Sequence, residues 1–260
     1  MLFIDDFSRK TWVYFVKEKS EVFGVFKRFK AFVERESGYY IKALRSNRGG
    51  EFTSKEFRDF CNNNGIRRPL TVPFTPQQNG VVERKNRSIL NMARSMLKSK
   101  GMPKEFWAQA VECAVYLSNR SPSRSLWNET PQQAWTGRKP SIAHLKIFGS
   151  IAFAHVPDQK RSKLDDKSEK LVFIGYDASS KGYKLYNPKT KKVVVSRDAV
   201  FDEEDSWDWN NQEEDYAFFP FFEENNNING EEIQQQPTPP PSPIKEAHHR
   251  MKVQVKGQDV

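Results

Sequence analysis

Two stretches decide the fold: LRSNRGGEF at residues 44–52 and TPQQNGVVERKNRS at residues 75–88. The first reads as the end of a short strand, Tyr39 to Leu44, entering a loop whose paired Gly49 and Gly50 permit tight or positive-φ backbone. The second reads as a loop entering a long basic helix, VVERKNRSILNMARSMLKSKG, which buries Val82, Ile89, Leu90, Met96 and Leu97. Thirty-five residues lie between Asn47 and Glu83, and a strand end and a helix start of this kind can converge at one edge of a sheet. A carboxylate pair there could hold Mg²⁺, which takes hard oxygen ligands and aligns phosphodiester oxygens for in-line attack. Asn47, however, is an amide.

Upstream, MLFIDDFSRKTWVYFV reads as two strands around a polar turn. Val22, Phe26, Phe29 and Val33 then recur at helical spacing, with Ser20 able to cap the start and Gly38 able to end the helix. SKEFRDFCNNNG is a short helix capped by Ser54, IRRPLTVPF a strand interrupted by prolines, and PKEFWAQAVECAVYLSNR a further helix. This alternation of strands and helices predicts an α/β layer over residues 1–137. Downstream, HLKIFGSIAFAHV, KLVFIGYD, GYKLYN and KKVVVSRDAVF are short strands with close turn signals, which predicts a small antiparallel barrel-like module over 145–205. Residues 206–260 turn acidic, then Asn- and Gln-rich, then PTPPPSP, a composition that predicts a mostly disordered tail.

Charge follows the same division. The formal net charge is +9, but four basic and fourteen acidic residues follow residue 200, leaving thirty-eight basic against nineteen acidic before it. A body that basic attracts polyanions, because each cation that neutralises a phosphate releases a condensed counterion. A solvated basic surface that keeps the protein soluble is the alternative. Two cysteines, Cys61 and Cys113, and four histidines build neither a disulfide framework nor a Cys/His zinc cluster. His144 and His155 read as ordinary structural or surface histidines, and Cys61, near Phe57 and Phe60, as core. No apolar run approaches the ~18 residues of a membrane span, and the start carries no secretory pattern. An intracellular protein, nuclear or cytoplasmic, is expected.

Taken in order, LFIDDFSRKTWVYFVKEKSEVF, LRSNRGGEF, PFTPQQNGVVERKNR, KIFGSIAFAHVP and GYKLYNPKTKKVVVSRDAVFDE resemble the integrase region of copia-type long-terminal-repeat retrotransposon Pol polyproteins, from residue 1 to about 209. The resemblance implies a ribonuclease H-like catalytic core, an SH3-like β module, and an Asp, Asp, Glu triad that binds two Mg²⁺ or Mn²⁺ ions for DNA end processing and strand transfer. Of that triad, Glu83 matches the third acid. The family's second acid lies in a Ser-Asp-Asn-Gly-Gly-Glu-Phe segment, where this chain has Ser46, Asn47, Arg48, Gly49, Gly50, Glu51 and Phe52. The first acid belongs to a strand ahead of Met1, and Asp5 and Asp6 fall at the family's hairpin turn. The expectation is a core without productive metal binding, whose sheet lacks an interior strand and is therefore marginally stable or prone to self-association.

DNA is the expected partner. Glu83, Asn86, Arg87 and Arg94 can share one face of the long helix, and Arg48, Arg84, Lys85, Arg87 and Arg94 are the candidate phosphate contacts. In the strand-rich module, lysines alternate with Tyr176, Tyr183 and Tyr186, tyrosines that read as core rather than as base-stacking platforms. Two functions fit: a retrotransposon-derived integrase-like protein that has lost its chemistry, or a host-adopted DNA-binding or scaffolding protein without catalysis.

Overall fold

Phe3 and Phe29 stack face to face at 4.1 Å between ring centroids, 2° from parallel, and around them the first half of the chain folds. The computed structural model describes residues 1–47, 49–69, 80–156, 159, 166–209 and 251–256. Leu2–Asp5 (β1) and Thr11–Val13 (β2) form an antiparallel hairpin. The helix Val22–Ser37 (α1) follows, burying Val22, Val25, Phe26, Phe29 and Val33, and Gly38 ends it at φ 72 in the left-handed region. The expected Ser20 cap is replaced: a 3-10 turn, Lys19–Glu21, precedes the helix, and Glu18 and Glu21 cap each other reciprocally. Ala43–Arg45 (β3) is shorter than the strand expected over 39–44.

Next come Gly50–Thr53 (α2) and Lys55–Asn63 (α3). Ser54 caps the second by accepting the Phe57 N–H at 3.2 Å, as its sequence predicts. Of the proline-interrupted strand expected over 66–74, Arg67 forms an isolated bridge to Ala43, Ile66, Arg68 and Pro69 are not strand, and 70–74 lies outside the described residues. Gly80–Ser99 (α4) and Trp107–Arg120 (α5) pack on each other, and Pro131–Thr136 (α6) ends at Gly137, φ 72.

One strand was not expected. Lys252–Lys256 (β9) lies in the interior of the first sheet, whose order is β2-β1-β9-β3. It runs antiparallel to β1 (Phe3↔Val255, Asp5↔Val253) and parallel to β3 (Ala43↔Lys252, Arg45↔Gln254). The Asp6 N–H donates to the Lys252 carbonyl at 2.7 Å and the Lys42 N–H to the Met251 carbonyl at 3.1 Å, extending the ladders. Met251, Val253 and Val255 are buried in the cluster of Phe3, Phe26, Phe29, Leu44, Phe52 and Phe57. The opposite face carries Leu2 and Ile4 beside Gln254 and packs under α4. The tail expected over 206–260 therefore gives way at both ends: Trp207 and Trp209 pack against Phe106 and its neighbours, and 252–256 is strand. Residues 210–250 and 257–260 lie outside the described residues. The segment carries a local strand signal, but its place in the sheet is set by distant strands. Val-Gln-Val between lysines has the period of two that a half-buried strand needs, and a hydrophilic flank does not cancel it.

A second, antiparallel sheet has the order β7-β6-β5-β4-β8, formed by Ser150–His155 (β4), Ser168–Tyr176 (β5), Tyr183–Asn187 (β6), Lys192–Ser196 (β7) and Ala199–Ser206 (β8). It docks on the helices through one shared apolar cluster, in which Ile89, Ala93, Phe106, Ala110 and Ala114 meet Phe148, Ile151, Val172, Ile174 and Tyr186. Lys100 fixes the seam by donating to the carbonyls of Glu203, Glu204 and Asp205 at 2.7, 3.1 and 2.8 Å. Gly149 sits there at φ 84, where a Cβ would lie 2.8 Å from the Lys100 Cβ. The buried Asn119 ties α5 to β2, accepting the Thr11 N–H at 2.9 Å and donating to the Thr11 carbonyl at 2.8 Å.

Candidate nucleic-acid interface and the triad positions

The triad positions come first. Asn47 lies two residues beyond Arg45 of β3, and its Oδ1 accepts the Gly49 N–H at 3.3 Å, so the amide serves the glycine turn. Glu83 is half-buried in the first turn of α4, the helix that packs across β1 and β9. Asp5 is fully buried, and its Oδ2 accepts the Ser8 N–H at 2.8 Å and the Ser8 hydroxyl at 2.7 Å. Asp6 accepts Arg9 Nη1 at 2.9 Å and Gln254 Nε2 at 2.7 Å. Asp6 is thus spent on the turn and on holding β9, while Asp5 closes the turn through Oδ2 and keeps its buried Oδ1 without a hydrogen-bond partner among the described residues. Among the described residues no group of three or more His, Cys, Asp or Glu side chains could hold a metal ion.

The end of the sheet where Asp6, Lys252 and Ala43 meet, opposite the end at which β3 runs on toward Asn47, is basic. A cavity of about 420 Å³ is lined by Arg45, Arg67, Arg68 and Lys252 with Asp6 and Gln254. Arg68 lies 4.8 Å over the Phe57 ring and donates to the Phe52 carbonyl; burial lowers its pKa. A divalent cation placed there would meet one carboxylate already bonded to Arg9 and several like charges, and one placed at Asn47 would meet a neutral amide already bonded to the Gly49 N–H, so neither donor set fits the metal pair that the family resemblance implies.

Along α4, Arg84, Arg87 and Arg94 are exposed, as a phosphate-facing ridge requires, with Arg94 Nη1 donating to Asn91 Oδ1 at 2.9 Å. Lys85 departs from the expected role. It lies against α5, where its ammonium donates to the Ser118 hydroxyl and burial lowers its pKa, so it serves helix packing. Leu90, expected in the core, is 40% exposed, because the buried stripe runs through Val82, Ile89 and Ala93. Arg48 lies outside the described residues.

The larger concavity was not found from the sequence. An open groove of about 1810 Å³ runs between the two sheets, and Lys10, Arg120, Arg138, Lys139, Lys181 and Lys184 line it, against Glu112 and Asp177. Lys184 is paired with Glu112 at 3.3 Å and Lys10 with Glu36 at 3.4 Å, while Arg138, Lys139 and Lys181 are exposed. Its floor is aromatic and held by hydrogen bonds. Tyr116 stacks on Tyr176 with centroids 4.1 Å apart, and the Arg120 guanidinium lies 3.4 Å from the Tyr116 ring centroid. The Tyr116 hydroxyl and His144 Nε2 share a hydrogen bond of 2.7 Å, and Tyr183 donates to the His144 carbonyl at 3.1 Å. Burial and the nearby Arg120 lower the His144 pKa, so the groove's positive charge at neutral pH rests on Lys and Arg. Because Tyr116 already packs against Tyr176 and Arg120, the floor offers charge and shape more than free stacking platforms. Asp177, held by Ser179 and Ser180 down to about 2, shapes the turn at the groove's lip.

Comparison with known proteins places these features. The integrase core domain family matches residues 1–76, and the retroviral polymerase SH3-like domain family matches residues 150–215. The retrovirus-related Pol polyprotein from transposon TNT 1-94 of Nicotiana tabacum is 55% identical over 201 residues, 77% of this chain and 15% of that protein. The Pol polyprotein from transposon RE2 of Arabidopsis thaliana is 37% identical over 203 residues, 78% of this chain and 14% of that protein. The chain therefore spans about 15% of the length of these curated relatives. Among solved structures, a simian T-cell lymphotropic virus intasome is similar at 15% identity and a TM-score of 0.44, over 77% of this chain and 70% of that one. The HTLV-2 integrase catalytic core domain in complex with magnesium is similar at 21% identity and a TM-score of 0.40, over 52% of this chain and 82% of that one. With the integrase core and SH3-like matches in this order and a sequence shared with plant Pol polyproteins, the chain belongs to the copia-type retrotransposon Pol family and covers its integrase region.

Proposed function

We propose that this chain binds DNA along the groove between its two sheets and performs no metal-dependent end processing or strand transfer by itself. The groove carries the reading: six cations against two carboxylates, exposed at Arg138, Lys139 and Lys181, on a family scaffold whose integrase role is DNA joining. Such a surface binds by counterion release, with little base readout, so binding is strongly salt-dependent and tolerant of sequence. The exposed Arg84, Arg87 and Arg94 of α4 offer further phosphate contacts.

The loss of chemistry follows from the donor set. Mg²⁺ or Mn²⁺ would supply Lewis-acid activation and alignment of the phosphodiester if two ions were bound. Here Asn47, a neutral amide, stands at the second acid's position and is bonded to its own turn. The test is a joining assay with purified protein, a donor DNA end and Mg²⁺ or Mn²⁺, run beside a duplex-capture assay at low salt. The proposal expects capture without joined product. Joined product that disappears in Glu83→Ala would overturn the claim of inactivity, and absence of capture at low salt would overturn the binding claim.

A further inference from the structure

β9 is held entirely by distant parts of the chain. Both its edges are paired, one with β1 and one with β3, and no hairpin joins it to either. Met251, Val253 and Val255 are at most 1% exposed. Between Trp209 and Met251 stand forty-one residues, 210–250. At about 3.4 Å per residue they can reach no farther than about 140 Å, against a radius of gyration of about 18 Å for a folded body of this length. That reach covers the chain's own slot and the slot of a neighbour.

We propose that the slot between β1 and β3 accepts Met251–Lys256 from a second copy of the chain, so that two chains exchange β9 reciprocally in a two-fold dimer. The slot takes the alternation of this segment. Its apolar positions receive Met251, Val253 and Val255, and at its polar position Gln254 Nε2 donates to Asp6 while the buried Gln254 Oε1 has no hydrogen-bond partner among the described residues. A strand with an apolar residue in that place would leave the Asp6 carboxylate without this donor, which favours the chain's own segment over an unrelated one. Exchange creates no contact that the single chain lacks. The balance is set by the effective concentration the tether imposes, so dimer forms as protein concentration rises.

Strand exchange is read by cross-linking two full-length variants, Ile4→Cys in one and Gln254→Cys in the other, because these positions face each other in the β1–β9 register. The two are unfolded together, refolded at high concentration and oxidised. The expected result is a disulfide-linked heterodimer that is lost on reduction, rises with concentration and exceeds at least tenfold the product from Val200→Cys paired with Gln254→Cys. Val200 is 72% exposed on the other sheet and serves as the control for random coupling. A single chain carrying Ile4→Cys and Gln254→Cys should close an internal disulfide at low concentration. Heterodimer no more abundant than the control, or no internal disulfide in the double variant, overturns the proposal. Should the cysteine variants fail to fold, light scattering on the unmodified chain refolded over a concentration series decides it: a monomer at every concentration refutes exchange.

Discussion

Truncating the two valines of β9, Val253→Ala with Val255→Ala, should destabilise the protein by about 4 kcal/mol. The magnitude comes from their burial. Val253 is 1% exposed and Val255 0%, and each substitution deletes two carbons from a close-packed cluster of phenylalanines. At about 1 kcal/mol per buried carbon, transfer and residual cavity together, each costs about 2 kcal/mol. Against a total stability of about 5–15 kcal/mol, that is a large share. With a urea dependence of about 2 kcal/mol per molar, the midpoint should fall by about 2 M. Tryptophan fluorescence is a suitable probe, since Trp12 packs edge-on against Phe29 at 5.4 Å and Trp135 at 5.1 Å. Lys252→Ala, at an exposed position of the same strand, should shift the midpoint by less than about 0.3 M. A double variant within 0.3 M of the parent would show that β9 does not lie in the sheet.

Three further outcomes follow from the seam between the sheets. Asn119→Ala removes both hydrogen bonds to Thr11 and leaves that residue's N–H and carbonyl buried without these partners, so urea titration should show a loss of about 2–4 kcal/mol. Gly149→Ala should cost about 2 kcal/mol or more, because φ 84 disfavours a side chain and the new Cβ meets Lys100 and Met102; a neutral midpoint would contradict the packing of this turn. Burial pushes the Cys113 thiol and the Tyr186 hydroxyl up to about 12 each. The folded state then holds protons that the unfolded state releases, so stability should be complete below pH 9 and fall between about pH 9 and 12. Tyr186→Phe should flatten that alkaline loss, as followed by thermal melts across the range.

Much of the scaffold is legible in the sequence, because periodicity and capping are local properties. α1 repeats its phenylalanines at helical spacing and stops at Gly38; α3 is capped by Ser54 and buries Cys61; all four stretches expected as strands in the second sheet hold strand, although the last, KKVVVSRDAVF, divides into β7 and β8. What escapes is non-local. β9 is five residues whose fate depends on a slot formed by β1 and β3, some 210 to 250 positions earlier, so flanking composition outweighed its Val-Gln-Val alternation. Lys85 looks like a member of a basic ridge until Ser118 of another helix is placed beside it. The groove assembles Arg120 and Tyr116 from α5, His144 from the connection after α6, and Tyr176 and Tyr183 from the second sheet. No spacing rule links those positions, although each is a residue type that nucleic-acid surfaces use. The altered triad position, by contrast, could be read directly, since it is a matter of residue identity at Asn47.

The most direct test of the account is the salt dependence of DNA binding, measured as log affinity against log salt concentration by fluorescence anisotropy on a short duplex. Lys139 and Lys181 are both exposed in the groove, and neither is needed for the core. Each phosphate contact contributes about 0.9 to the slope, so Lys139→Glu with Lys181→Glu should make it shallower by about 1.8 and weaken binding, with urea stability unchanged. The same slope and the same affinity in parent and variant would contradict the groove as the DNA surface.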